Sequence, residues 1–435
     1  MSDIEIGMTG LGAVLLLLIL RVPIGVALGG VALIGIWNLL GLRAAWGTVA
    51  EIPYSFSAHW TLSSIPMFLL MGYVSYYSRV TEGLFNAAQI WMGRLPGGLG
   101  IATITGAAGF SAVTGSSLAA SAAMGRIAVP SMQEHGYRPG FAAGIVAAAG
   151  TIGSMIPPSI IMIVYGVFAE VSIGQLFMAG VIPGILTAVF YSLVIVIRVK
   201  INPKLAPSIQ DKPDWRKRWS SLGETWPFLL LVMGVFGGLF SGLFTPTEAG
   251  AVGAFLAFVI AALKRSLSWQ VTKESIVESV KGTSSIFFIA IGAALLTNFL
   301  ALSGVPAFLS TIIKDLGLTQ IELILLISLL FIFLGMFLDP LGCMLLTLPV
   351  LLPVLEAQNA NLIWFGILLV KFLEIGLITP PVGLNVFVIK EIVGNKVPIT
   401  QIFAGVSWFI VSDLILLMIL IFVPAIALWL PGLMN

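Results

Sequence analysis

The oxygen-bearing residues of Val113-Thr-Gly-Ser-Ser117 have types and spacing that could bind an ion. Threonine and serine supply hydroxyl oxygens, glycine leaves backbone carbonyls accessible, and a hard cation such as Na⁺ binds oxygen ligands. Further along, Gly150-Thr-Ile-Gly-Ser-Met-Ile-Pro157 leads into a Pro-Pro pair, which removes two backbone donors and must break a helix. The carbonyls freed at this break need partners, and a sodium ion could supply them. The competing interpretation is that glycine and serine here only permit close helix packing.

Five other polar residues lie in apolar stretches of the second half of the chain. An ionised Asp339 within a bilayer would cost about 3 kcal/mol or more, which is why such residues usually mark an ion or substrate route. An Asp-Pro surface turn is the alternative. Thr379 and Asn385 flank another Pro-Pro pair and also bear oxygen. Lys371, three residues before Glu374 on one helical face, predicts an ion pair, although this lysine could instead attract an anionic substrate.

The sequence segments that contain these residues occur twice in the chain. One offset of 223 residues relates Pro157 to Pro380, Pro130 to Pro353, Pro23 to Pro246 and Ser116 to Asp339. A single Pro-Pro pair could mark only a kink, but two pairs in register favour a functional break. Duplicated units with interrupted apolar segments are typical of secondary transporters, whose site lies where the breaks meet.

Composition supports an all-α polytopic membrane protein. Of its 435 residues, 59% are apolar and 9% are charged, whereas soluble domains contain roughly 25% charged residues. A single cysteine, Cys343, and two distant histidines, His59 and His135, argue against a transition-metal site. The sequence has neither the clustered carboxylates of a magnesium-diphosphate enzyme nor a Gly-x-x-x-x-Gly-Lys-Ser/Thr nucleotide loop. We therefore expect no enzyme activity and no cofactor other than Na⁺.

The sequence divides into two inverted repeats, 1–200 and 226–435, joined by a basic interfacial linker, 201–225. Each repeat contains a segment crowded with small residues or interrupted by proline, which predicts a re-entrant helical hairpin, followed by a broken helix. The hairpins are predicted at 95–129 and 318–353, and the broken helices at 139–169 and 361–392.

Basic residues predict the orientation of the chain. The linker region carries a run of cations that should be cytoplasmic, namely Arg198, Lys200, Lys204, Lys212, Arg216, Lys217 and Arg218. A predicted loop over 264–283 contains four basic residues, whereas its counterpart, 41–60, contains only Arg43. Opposite charge bias in matching loops indicates that the second repeat is inverted. Both termini and Thr245-Pro-Thr-Glu248 should then lie outside.

Several ordered motifs spread over nearly the whole chain carry a family resemblance. They are Phe110-Ser-Ala-Val-Thr-Gly-Ser-Ser-Leu-Ala119, Gly150-Thr-Ile-Gly-Ser-Met-Ile-Pro-Pro-Ser159, Pro246-Thr-Glu-Ala-Gly-Ala251, Met336-Phe-Leu-Asp-Pro340 and Ile378-Thr-Pro-Pro-Val-Gly-Leu-Asn385. The chain resembles the large membrane subunit of tripartite ATP-independent periplasmic (TRAP) transporters. The resemblance implies sodium-driven uptake of an organic acid, usually a carboxylate, by an elevator mechanism in the bacterial inner membrane. It also implies a small membrane subunit, expected as a separate polypeptide, and a soluble periplasmic binding protein as partners.

The resemblance also assigns roles to individual residues. Sodium coordination would fall on Thr114, Gly115, Ser116 and Ser117 with Gly150, Thr151 and Gly153, and on Asp339 with Gly376 and Thr379. Substrate contact would fall on Ser116, Ser159, Asp339 and Asn385. The alternative function is a stand-alone sodium/dicarboxylate symporter of similar build that works without a binding protein.

Overall fold

The computed structural model describes residues 1–207 and 215–433, and these residues form helices and no strand. Lys212, which belongs to the predicted basic linker, lies outside the described residues. The rest of that linker includes a short helix, α11 (Trp215–Gly223), whose tryptophans are exposed.

The first half of the chain forms ten helices before the linker. Their bounds are α1 (Asp3–Ile19), α2 (Ile24–Leu40), α3 (Leu42–Ser57), α4 (Ser64–Tyr77), α5 (Glu82–Met92), α6 (Gly98–Thr114), α7 (Ser117–Glu134), α8 (Pro139–Met155), α9 (Ile160–Phe168) and α10 (Ile173–Ile201).

The second half of the chain follows α11 with ten more helices. Their bounds are α12 (Trp226–Phe240), α13 (Pro246–Leu263), α14 (Trp269–Ser303), α15 (Val305–Asp315), α16 (Gln320–Gly335), α17 (Pro340–Ala357), α18 (Leu362–Ile378), α19 (Leu384–Val393), α20 (Ile399–Phe422) and α21 (Ala425–Leu428).

Helix bounds recur at the same offset as the sequence landmarks. Helices α5, α7 and α8 begin and end 223 residues before α15, α17 and α18, respectively. Both Pro-Pro bonds, Pro157-Pro158 and Pro380-Pro381, are cis. The predicted hairpins and broken helices therefore correspond to pairs of helices, α6 with α7, α8 with α9, α16 with α17 and α18 with α19.

The predicted loop over 264–283 is wrong, because α14 begins at Trp269 and continues without a break to Ser303. The side chain of Ser268 caps its start, and Lys281 forms an i,i+3 ion pair with Glu278 at 2.8 Å. Charged residues of this kind are good helix formers. The equivalent stretch of the first half is split into α3 and α4 and contains Pro53, whereas α14 contains no proline.

Six of the described helices or broken helices are long and apolar enough to cross a membrane, or seven if a bent pair is counted as one span. The broken helix Pro139–Phe168 is the most enclosed of these, with 83% of its apolar window buried inside the protein. Protein therefore surrounds this break, as a non-helical segment at membrane depth requires.

Candidate functional site

The first hairpin turns at Gly115 and Ser116. Gly115 adopts a left-handed conformation with φ +62°, and a Cβ atom on it would lie 2.3 Å from the carbonyl oxygen of Pro158. Only glycine suits both the dihedral angle and this close approach. Ser116 caps the start of α7, since its Oγ accepts a hydrogen bond from the backbone N–H of Ala119 at 3.4 Å.

The break between α8 and α9 lies directly against this tip. A Cβ atom on Gly153 would lie 2.9 Å from the backbone of both Ser116 and Ser117. The Oγ of Ser117 lies 2.6 Å from the Oγ of Ser154 and donates to the carbonyl oxygen of Thr151 at 3.2 Å. The structure thus brings hydroxyl and carbonyl oxygens of the tip and the break together, as the sequence predicted.

The second hairpin meets its own break in a related way. Asp339 caps α17, with Oδ1 accepting from the backbone N–H of Gly342 at 3.0 Å. The backbones of Gly335 and Gly376 touch, since a Cβ atom on Gly376 would lie 2.7 Å from Gly335. This close contact joins the end of α16 to α18.

A cavity of about 240 Å³, the tip cavity, lies between the two hairpin tips and is lined by both Ser116 and Asp339. Tyr73 from α4 and Ser285 from α14, which belong to neither hairpin, also line it. Sequence reasoning missed Tyr73 and Ser285, because neither belongs to a glycine- or proline-marked break. The described residues lining the tip cavity include no lysine or arginine.

The other predicted substrate residues, Ser159 and Asn385, are fully buried and do not line the tip cavity. Ser159 caps the start of α9. The amide nitrogen of Asn385 donates to the carbonyl oxygen of Ala147 at 3.3 Å, and its Oδ1 has no hydrogen-bond partner. Their role in substrate contact remains a prediction.

The remaining predicted sodium ligands lie on the helices beside the turns. The hydroxyl of Thr114 donates within α6, to the carbonyl oxygen of Phe110 at 3.1 Å. Gly150 lies against Ser121 of α7, and the hydroxyl of Thr379 donates to Ile375 at 2.6 Å. Sodium coordination by these residues remains a prediction.

A buried charge network lies behind the first break. Lys371 Nζ lies 2.7 Å from Asp413 Oδ1 and 3.3 Å from Glu374 Oε2, and all three side chains are at most 1% exposed. The hydroxyl of Tyr191 donates to Asp413 Oδ2 at 2.5 Å and lies 3.0 Å from the Oγ1 of Thr151. The predicted ion pair is confirmed, and the network extends it across α8, α10, α18 and α20.

This network changes the interpretation of Lys371. Because the ammonium group is fully enclosed, paired with two carboxylates and absent from the lining of the tip cavity, it cannot contact a substrate there. Sequence reasoning missed the contact between Asp413 and Tyr191. The two residues are 222 positions apart, close to the repeat offset, but they belong to different halves of the chain.

The chemistry of the first tip suits a hard monovalent cation. Hydroxyl and backbone carbonyl oxygens of Ser117, Ser154 and Thr151 gather there. Among residues 1–207 and 215–433, no three His, Cys, Asp or Glu side chains lie together as a transition metal would need. Oxygen donors of this kind fit Na⁺.

Apolar helices, two helix breaks, of which the first is enclosed, and a polar cavity between two tips are the features of a polytopic membrane transporter. Residues 11–426 match the family model described as "Tripartite ATP-independent periplasmic transporter, DctM component". The chain belongs to this family, and it is a multi-pass protein of the bacterial inner membrane.

Similar proteins agree with this assignment, and one solved structure shares the fold. The chain is 37% identical to the C4-dicarboxylate TRAP transporter large permease protein DctM of Pseudomonas aeruginosa, over 86% of this chain and 87% of that protein. It is 34% identical to the isethionate TRAP transporter permease protein DctMQ of Oleidesulfovibrio alaskensis, over 96% of this chain and 65% of that protein. The fold resembles that of the Alcanivorax borkumensis YdaH transporter, with a TM-score of 0.61 and 14% sequence identity. The match covers 89% of this chain and 90% of that chain.

Proposed function

We propose that this chain carries an organic acid, a carboxylate or a related anion, across the inner membrane together with sodium ions. The observation that carries the proposal is the tip cavity, where Ser116 and Asp339 of two different hairpins face one space of about 240 Å³. That volume suits a small organic acid, since pockets for drug-sized ligands measure roughly 300 to 1,000 Å³. Relatives named for C4-dicarboxylate and isethionate transport support an anionic substrate.

Sodium supplies the positive charge that the cavity lacks. A carboxylate substrate beside the Asp339 carboxylate would otherwise be repelled, because the described lining contains no cationic side chain. Cations held by the oxygens of the tips would offset both charges. Binding of substrate and binding of sodium would therefore favour one another.

The second half of the chain is inverted relative to the first in this proposal, and the hairpins move with their broken helices as in an elevator. The recurrence of helix bounds at one offset supports a duplication. The hydroxyl of Tyr165, near the end of α9, donates to the carbonyl oxygen of Leu362 at the start of α18 at 2.6 Å. This contact supports a start of α8 and α18 at opposite ends of the bundle, because Tyr165 lies near the far end of the broken helix that α8 begins.

The proposed partners are a small membrane subunit and a periplasmic binding protein, as in the family to which the chain belongs. A stand-alone sodium/dicarboxylate symporter is the second candidate, because the tip cavity would serve either protein. The two functions differ in whether uptake depends on the binding protein.

The test is uptake of labelled organic acids, starting with succinate and isethionate, into proteoliposomes that contain this chain and its small subunit. We expect uptake only with an inward sodium gradient and with the binding protein present. Undiminished uptake when choline replaces sodium would reject the coupling ion. Equal uptake without the binding protein would favour the stand-alone symporter.

A further inference from the structure

Two further cavities adjoin the tip cavity through shared lining residues, and the outermost is lined by exposed side chains. The middle cavity, of about 390 Å³, shares four lining residues with the tip cavity, namely Leu69, Tyr73, Ser116 and Leu118. The outer cavity, of about 460 Å³, shares Tyr76 and Phe110 with the middle one. The three cavities form a row between α4 and the hairpin of α6 and α7.

An aromatic pair separates the middle cavity from the outer one. The rings of Tyr76 in α4 and Phe110 in α6 meet edge to face, with centroids 6.0 Å apart. Together with Ala119, Ala120 and Ala123, they form a small apolar cluster of their own, apart from the two large cores of the protein. The row is therefore narrowed by contact between side chains of two different elements.

Cationic side chains surround the surface end of the outer cavity. Exposed Arg79, which follows α4, and exposed Arg126, on α7, both line it. Lys264 donates to the carbonyl oxygen of Arg79 at 2.8 Å. The carboxylate in this lining is Glu82, which lies near Lys264. Burial lowers the pKa of Lys264, and the negative charge of Glu82 offsets part of that lowering. A cleft whose lining carries more charges of one sign than of the other concentrates ions of the opposite sign.

We propose that this row is the route by which an organic anion leaves the tip cavity, with Tyr76 and Phe110 as its constriction and Arg79 and Arg126 as its anion-attracting mouth. The proposal rests on the transport function proposed above. Arginine suits this task because its planar guanidinium donates two parallel hydrogen bonds to a carboxylate or a sulfonate. Since the tip cavity has no cationic lining residue, the anion would first meet fixed positive charge at the mouth.

The constriction is tested by labelling, which needs neither substrate nor sodium. Cysteine is placed at Leu118, on the inner side of the aromatic pair, in a Cys343→Ala background of the complex. Inside-out vesicles are used because the outer cavity is lined by Phe85 of α5, which packs against α11 of the predicted cytoplasmic linker. The probe is the anionic reagent 2-sulfonatoethyl methanethiosulfonate. Tyr76→Ala should accelerate labelling at Leu118→Cys several-fold, whereas Tyr76→Phe, which keeps the ring, should leave the rate unchanged. Labelling at Ile127→Cys, in the outer cavity, should not respond to either variant.

The mouth is tested by the charge selectivity of labelling at Leu118→Cys. The ratio of rates for the anionic reagent and its trimethylammonium analogue should fall about fivefold in Arg126→Gln, since one lost charge acts on the two reagents in opposite directions. Arg79→Gln should lower the ratio as well. The matched control Arg138→Gln, which removes an exposed arginine outside the cavity lining, should leave it unchanged.

Either of two results overturns the route, provided that the variants keep the parent melting temperature. One is an unchanged rate at Leu118→Cys in Tyr76→Ala, and the other is an unchanged charge ratio in both arginine variants. Failure of the proposed transport function gives a different result from failure of the route. In that case the parent protein shows no sodium-driven uptake, whereas the labelling rates still change in the variants as described.

Discussion

At the scale of single residues, Asp339 is the carboxylate among the described residues that line the tip cavity, and Ser116 lines the same cavity. We expect Asp339→Asn to weaken sodium binding, because the amide keeps the volume and one oxygen but loses the charge that offsets the cation. A coupling loss of ~1 to 3 kcal/mol corresponds to an increase of ~5- to 150-fold in half-saturating sodium. The measurement is uptake against sodium concentration at matched expression.

Asp315→Asn is the matched control, since Asp315 is exposed at the end of α15 and should tolerate the change. If Asp339→Asn shows the same half-saturating sodium and maximal rate as the parent, Asp339 serves only to cap α17. The site would then have to be redrawn around Thr379 and the backbone.

Lys371 forms ion pairs with two carboxylates that are themselves enclosed by protein. We expect Lys371→Met to destabilise the protein by about 3 to 5 kcal/mol, because it leaves buried charge without a partner. Adding Asp413→Asn should recover part of this loss. The measurement is the melting temperature of the purified complex in detergent.

The exposed ion pair between Lys281 and Glu278 provides the comparison. Lys281→Met should leave the melting temperature unchanged, because exposed pairs contribute little. Equal melting temperatures for Lys371→Met and the parent would show that the network is not needed for stability.

At the scale of elements, the contact between the first tip and its break depends on the absence of a side chain at Gly153. A methyl group there would lie 2.9 Å from the backbone of Ser116 and Ser117, so that the tip must move. Overpacking of this kind costs typically about 1 to 3 kcal/mol. We expect Gly153→Ala to raise half-saturating sodium, measured by uptake.

Gly30→Ala in α2 is the matched control, since a Cβ atom there would meet nothing within 4 Å. It should transport like the parent. Normal sodium dependence in Gly153→Ala would show that the tip and the break need not touch for ion coupling.

The sequence predicts elements well where proline and glycine mark them. The two Pro-Pro pairs locate both breaks, and the small residues around Gly115 locate the first tip, because these signals act on the local backbone. The predicted loop over 264–283 is wrong, because the charged residues in the first turns of α14 resemble a loop in composition. Such residues nevertheless favour helix.

The site is only partly predictable for a different reason. Ser116 and Asp339 could be paired through the repeat, and they do share a cavity. Tyr73 and Asp413 could not be assigned, because their positions depend on the packing of helices distant in the sequence. An isolated tyrosine or aspartate in an apolar segment carries no sign of its tertiary partner.

At the scale of the whole molecule, inversion of the second half makes a prediction that a parallel duplication does not. Glu134 and Ala357 are the last residues of the equivalent helices α7 and α17, lie 223 positions apart and are both exposed. In a Cys343→Ala background, Glu134→Cys should label from the cytoplasmic side and Ala357→Cys from the periplasmic side with an impermeant reagent. Lys217→Cys in the basic linker and Leu243→Cys beside α13 serve as the cytoplasmic and periplasmic references. Labelling of both helix ends from the same side would show that the two halves are duplicated but not inverted. It would contradict the inverted arrangement on which the elevator proposal depends.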